Sequence, residues 1–189
     1  MITEPRLLSP VRPDAPLLVV ATEVEASHFG DDLPVLLTGI GKVRAAMALT
    51  GVLAQGPMPS SVLNLGTAGA LRDGLTGVHC VGSVVMHDFS HSAVRRITGD
   101  DAYPRIELGD GVRLATGDAF IEDGLTRDRL ARDADLCDME GYAVAFVARR
   151  HGVPVELVKI VSDFADEAAG SRWAEAVSAC SRLLAEHLA

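Results

Sequence analysis

Short continuous apolar runs alternate along the chain with segments of helical spacing. Leu17-Leu18-Val19-Val20-Ala21 is apolar at every position, the pattern of a strand buried on both faces, and Thr22 with Glu23 and Glu25 then supplies a helix start. Val35-Leu36-Leu37 runs into Gly39-Ile40-Gly41-Lys42, after which residues 43–54, rich in Ala, Leu and Val and free of proline, predict a mostly buried helix. Val62-Leu63-Asn64-Leu65 predicts another strand, ending in a glycine turn at Gly66-Thr67-Ala68-Gly69. Residues 81–86 and 113–116 are strand candidates, and the turn formers of 99–104 predict a surface loop. Met139, Tyr142, Ala143, Phe146 and Val147 follow helical spacing up to the stop at Gly152 and Pro154. Residues 155–161 predict the next strand. Trp173, Val177, Cys180, Leu184 and Leu188 mark a final amphipathic helix, with Ser171 as its candidate N-cap.

Strands alternating with helices predict an α/β layered fold around a mostly parallel sheet, with ligands bound beyond the carboxyl ends of the strands. Pro5, Pro10, Pro13 and Pro16 mark residues 1–16 as an extension, and 17–189 reads as one domain. Composition narrows the function. With 48% hydrophobic and 23% charged residues the chain has the makeup of a globular protein. A net charge of -9 opposes nucleic-acid coating and binding to anionic membranes, and no apolar run approaches the ~20 residues of a spanning helix. Cys80, Cys137 and Cys180 form no C-x-x-C pair, which argues against a disulfide framework or a cysteine zinc site and for a reducing cytoplasmic setting.

Polar groups just after strand runs are the candidates for chemistry. They are Glu25, Gly39-Ile40-Gly41, the turn at 66–69, Gly117-Asp118-Ala119-Phe120-Ile121, Asp138-Met139-Glu140-Gly141 and Ser162-Asp163. In that order these segments resemble the purine nucleoside phosphorylase and nucleosidase superfamily, above all the methylthioadenosine/S-adenosylhomocysteine nucleosidases. The resemblance covers nearly the whole chain. It implies a three-layer α/β/α fold with a mostly parallel twisted central sheet of the nucleoside phosphorylase type, usually a homodimer. It also implies hydrolysis of the N-glycosidic bond of an adenine nucleoside, with water as co-substrate and no metal or cofactor.

The residues suit that chemistry on their own terms. Breaking a purine N-glycosidic bond builds positive charge on the sugar and negative charge on the base, so it calls for a proton donor at N7, an anionic group near the sugar and a positioned water. The resemblance makes Asp163 the general acid, steadied by Ser162, although an Asp after a strand is also a common helix cap. It makes Glu25 the base that activates water, over its neighbour Glu23; either residue also suits the first turn of a helix. Glu140 is implied to accept hydrogen bonds from the ribose 2' and 3' hydroxyls, with Met139 along the sugar. Phe120 is implied to stack on adenine and the Ile121 backbone to read its edge; for both, core packing is the alternative. Thr67, Ala68 and Gly69 would flank the ribose and water, and Ile40 and Trp173 would wall the 5' group.

Departures from the family pattern matter too. Lys159 stands where family nucleosidases carry an Arg four residues before the acid; it keeps the charge, loses the planar fork, and is one of two lysines in the chain. The chain is shortened near residues 30–35 and 87–105. Asn64 and Ala21-Thr22-Glu23 replace the Arg and the Gly-Asp-Pro of phosphorylases, favouring water over phosphate. Phosphorolysis, a futalosine-type nucleosidase (disfavoured by Asp rather than Asn at position 163) and a nucleoside binder without turnover are the alternatives. His87-x-x-x-His91, with His79 and Asp88, suggests a metal pair only if it lies on a helix, and Val84-Val85-Met86 argues for a strand there. His91 would then lie at the pocket mouth.

Overall fold

The computed structural model describes residues 4–30 and 32–188. The elements run β1 (Arg6–Leu7), β2 (Leu17–Val20), α1 (Glu23–Ala26), β3 (Val35–Leu37), α2 (Lys42–Gln55), β4 (Val62–Ala70), β5 (Val78–Met86), α3 (His91–Thr98) and β6 (Ile106–Glu107). They continue with β7 (Val112–Thr116), α4 (Gly124–Leu130), β8 (Leu136–Asp138), α5 (Gly141–Arg150), β9 (Val155–Asp163) and α6 (Ala169–Leu188). The fold is mixed α/β. No helix among the described residues is long and apolar enough to cross a membrane.

The pairings differ from a mostly parallel sheet. β2 pairs in parallel with β3 and β4, β4 with β9, β5 with β7, and β7 with β8; β1–β3, β4–β8, β5–β6 and β5–β9 are antiparallel. Strand β9 pairs both ways, parallel to β4 and antiparallel to β5. It lies between β4 and β5 and completes a closed circuit through β8 and β7, in the manner of a barrel. Tyr142, Val144 and Leu49 of α5 and α2 join one buried cluster, whereas Cys180 and Leu184 of α6 pack against Leu18, Val20 and Ile160 in another. Within residues 1–16, β1 pairs with β3 and Val11 and Ala15 are buried.

Residues 66–69 form no turn. β4 continues through them to Ala70, in register with β9 up to a shift between Ala68 and Gly69. The glycines there serve close approach. A Cβ on Gly69 would lie 2.9 Å from Asp163 Oδ1, and one on Gly66 would lie 3.3 Å from Glu25 Oε1 and 3.5 Å from Lys159 Nζ. Ser171 likewise lies inside α6, its hydroxyl donating back to the Ala168 carbonyl at 2.9 Å.

Candidate active site

The carboxyl-terminal ends of β2, β4, β7, β8 and β9, with the segments that follow them, surround one cavity of about 220 Å³. Each of these strands is largely buried and paired, so each ends at a fixed place and delivers a polar residue at or beyond its end to a common point. Glu25 arrives through a capping box. Thr22 caps α1, its hydroxyl accepting from Glu25 N at 3.2 Å, while Glu25 Oε2 accepts from Thr22 N at 3.1 Å and from Thr22 Oγ1 at 3.0 Å. The other oxygen, Oε1, reaches β4 and accepts from Thr67 N at 3.0 Å and Thr67 Oγ1 at 2.9 Å. Trp173 of α6 completes the chain, its indole N–H donating to Thr67 Oγ1 at 2.9 Å. Glu25 is therefore both a cap and a cavity residue, and Glu23 instead pairs with Arg6 at the surface.

Asp163, the last residue of β9, is 4% exposed. Its Oδ1 accepts from Ala165 N at 3.0 Å, and Ser162 Oγ donates to Oδ2 at 2.8 Å. Ala165 takes a left-handed φ of 50° to make that bond, an uncommon state for a residue with a Cβ. Asp163 thus makes an Asx-type turn at the strand end, yet it keeps a place on the cavity wall.

Glu140 sits between β8 and α5, where Gly41 N donates to its Oε1 at 2.7 Å. Burial pushes its carboxyl well above the usual carboxylate range, and Asp138 adds to the rise. The Lys159 ammonium and the Gly41 N–H oppose it. Met139, Ala68, Gly69 and Ile40 also line the cavity. Phe120 is 44% exposed, so it is not a core residue and presents ring surface to the cavity; the Ile121 side chain is buried among Leu71, Leu130 and Ala134.

Lys159 is the residue that the structure does not bring to the cavity. It is 1% exposed and lies behind the wall, with Nζ 2.8 Å from Asp138 Oδ2. Burial by itself pushes this ammonium down, but the carboxylates of Asp138, Glu140 and Glu25 outweigh it and the net shift is upward. Its partner Asp138 stood in one of the candidate segments, but sequence reasoning gave it no role. Its Oδ1 accepts from Thr116 Oγ1 at 2.5 Å and its Oδ2 from Gly141 N at 2.8 Å. A lysine within an apolar strand was the available signal, because a buried ammonium requires a counter-ion. Thr22, Ala119 and Cys137 complete the lining without having been singled out. His87 follows β5 and His91 opens α3, so the two do not share a helix face, and both line a separate cavity rather than this one's mouth.

Known proteins resemble the chain in sequence and in fold. Residues 92–189 match the family model described as "Phosphorylase superfamily". The 5'-methylthioadenosine/S-adenosylhomocysteine nucleosidase of Actinobacillus succinogenes is 33% identical, over 82% of this chain and 78% of that protein. The chain belongs to the phosphorylase superfamily. Within the superfamily it is also 31% identical to the 5'-methylthioadenosine nucleosidase of Arabidopsis thaliana, over 72% of this chain and 56% of that one. The superfamily fold recurs in solved structures from Helicobacter pylori. A 5'-methylthioadenosine/S-adenosyl homocysteine nucleosidase superposes with a TM-score of 0.82 at 24% identity, covering 93% of this chain and 96% of that one. A futalosine hydrolase superposes at 0.80 and 22% identity, with the same coverage.

Proposed function

We propose that this chain hydrolyses the N-glycosidic bond of an adenine nucleoside of the methylthioadenosine, S-adenosylhomocysteine or 5'-deoxyadenosine type. The observation that carries the reading is the convergence of Glu25, Glu140 and Asp163, from three separate elements, on one cavity with an exposed aromatic ring. Adenine stacks on Phe120 with the Ile121 backbone at its edge, and Asp163 gives a proton to N7 as the bond breaks. Glu140 accepts from the ribose hydroxyls, with Met139 beside the sugar. Glu25 takes the proton of the attacking water as the Thr22 or Thr67 hydroxyl gives up its hydrogen bond to the carboxylate and frees an acceptor site for it. Packing of α2 and α5 on one cluster and α6 on another supports the three-layer arrangement. Val43 and Met47, exposed one turn apart at the start of α2, and the exposed Ile40 in the turn before it support a homodimer.

Water is the nucleophile. No arginine or lysine among the described residues lines the cavity. Asn64, at the position where phosphorylases carry an Arg, is buried and donates to the Val19 carbonyl at 2.9 Å, so it serves the sheet and holds no anion. Purified protein given methylthioadenosine, S-adenosylhomocysteine and 5'-deoxyadenosine in phosphate-free buffer is expected to release adenine and a free sugar, as read by liquid chromatography, with no acceleration by millimolar phosphate. Strict dependence on phosphate with a sugar 1-phosphate product would replace hydrolysis by phosphorolysis.

Trp173 gives a second test. Its ring faces the cavity, and its N–H ties α6 to Thr67. Trp173→Ala is expected to weaken kcat/KM for methylthio and larger apolar 5' groups by about 2 kcal/mol or more, and for adenosine by less, because only the former lose an apolar wall. Equal losses on all substrates, with a matching drop in thermal stability, would reduce Trp173 to an anchor of α6.

A further inference from the structure

Glu140 is held from outside the cavity as well as within it. The N–H that fixes its Oε1 belongs to Gly41, in the Gly39-Ile40-Gly41-Lys42 turn between β3 and α2. Gly41 has φ 100°, a conformation open to glycine and to few L side chains, so hydrogen bonding rather than steric restriction fixes the turn. The constraint comes from the next residue. Lys42 N donates to Asp118 Oδ1 at 2.8 Å, and Lys42 Nζ lies 3.4 Å from Asp118 Oδ2. The same ammonium donates to both oxygens of Asp88, and Asp88 Oδ2 accepts from Asp118 N at 2.8 Å. One lysine and two aspartates thus join three separate segments: the turn before α2, the residue pair after β5 and the stretch after β7. None of the three lines the cavity, yet Lys42 adjoins Gly41 and Ile40, and Asp118 lies two residues before Phe120.

We propose that Lys42, Asp88 and Asp118 form a latch of positioning residues that sets the Gly41 N–H on Glu140 and holds the Ile40 wall in register with the Phe120 platform. The latch tunes how the site holds the ribose and does none of the proton transfer. Its effect on catalysis rests on the nucleosidase reading of Glu140; its mechanical effect does not. The Lys42 side chain is 15% exposed and Asp88 27%, so these charges are partly shielded from water and hold more firmly than an open surface pair. Glu140 is faced by Asp138 from β8, Glu25 from α1, Lys159 from β9 and the Gly41 N–H. Of these, only the Gly41 contact depends on the latch. Loosening it removes a hydrogen bond that favours the ionised carboxyl, so the Glu140 titration moves to higher pH.

The test compares Lys42→Met, Lys42→Arg and Asp88→Ala with the wild type in two independent measurements. The first is amide hydrogen exchange at Gly41 and Lys42, followed by NMR, which requires no substrate. Lys42→Met and Asp88→Ala are expected to speed exchange at both amides by about tenfold or more while amides of β4 and β9 keep their protection, and Lys42→Arg is expected to restore most of it. The second is kcat/KM against pH for an adenine riboside and its 2'-deoxyriboside. Lys42→Met is expected to lose about tenfold to a hundredfold on the riboside, chiefly through KM, and less on the deoxyriboside, with the limb assigned to Glu140 moved to higher pH. Unchanged exchange at Gly41 and Lys42 overturns the latch whatever the activity. Faster exchange with equal losses on both sugars and an unmoved pH limb overturns the link to Glu140. A wild type that cleaves neither sugar overturns the nucleosidase reading, and the exchange result then decides the latch alone.

Discussion

Asp163→Asn is expected to slow adenine release by about 10² to 10⁴-fold at neutral pH, the range a positioned general acid contributes. The amide has the shape of the carboxyl and can still accept from Ala165 N, as Oδ1 does at 3.0 Å, so the strand end and the left-handed Ala165 stay in place. It carries no acidic proton for N7. The loss therefore falls on kcat, with KM and the unfolding temperature little changed. A nucleoside whose leaving group needs no protonation separates chemistry from shape: it should suffer far less than the adenine substrate. If both substrates are cleaved at wild-type rates, Asp163 is a turn residue and the acid lies elsewhere. Equal, large losses on both would point to a collapsed site, which circular dichroism and thermal unfolding of the variant would reveal.

Sequence pattern made the buried strands legible and left the polar elements dark. Leu17–Val20 and Val35–Leu37 announce themselves because strands paired on both sides are apolar at successive positions, and in β9 residues 157–161 do so with Lys159 as the one interruption. Helix α3 escaped notice because His91–Thr98 is short and buries no residue, its apolar side amounting only to Ala93, Val94 and the exposed Ile97. Helix α4 buries Leu130 alone and β8 has three residues, too few for either period to declare itself. Gly66 and Gly69 misled for a related reason. A glycine in sequence signals either a turn or a close approach, and the atoms that approach these two, on Glu25, Lys159 and Asp163, come from residues as far as 94 positions away. The cavity lining was legible where a carboxylate ends or follows a strand run, as at Glu25, Glu140 and Asp163. It was not legible where the task belongs to a pair. Nothing local links Lys159 to Asp138, since their meeting depends on β4 lying between β9 and β8.

That pair carries the largest expected effect on stability. Lys159 faces Gly66 across the β4–β9 register, and because Gly66 has no side chain the lysine crosses β4 to reach Asp138. Both side chains are 1% exposed. Two charges at such depth gain little net stability from each other, but removing one strands the other, at a cost of about 3–5 kcal/mol. Lys159→Met is therefore expected to lower the unfolding free energy by about that amount in urea titration, since Met fills the volume and leaves the Asp138 carboxylate with only Thr116 Oγ1 and Gly141 N as partners. Adding Asp138→Asn should return part of the loss, because the amide keeps the shape and no longer needs a cation; a double-mutant cycle measures the coupling directly. Activity should move in a defined direction as well. The Lys159 ammonium holds the Glu140 carboxyl down against burial, so its loss sends Glu140 further up and shifts the alkaline-going rise of riboside kcat/KM to higher pH. A single variant as stable as the wild type would mean that Asp138 is satisfied without its lysine. A destabilised variant whose pH profile stays put would confine Lys159 to the fold and free Glu140 from its influence.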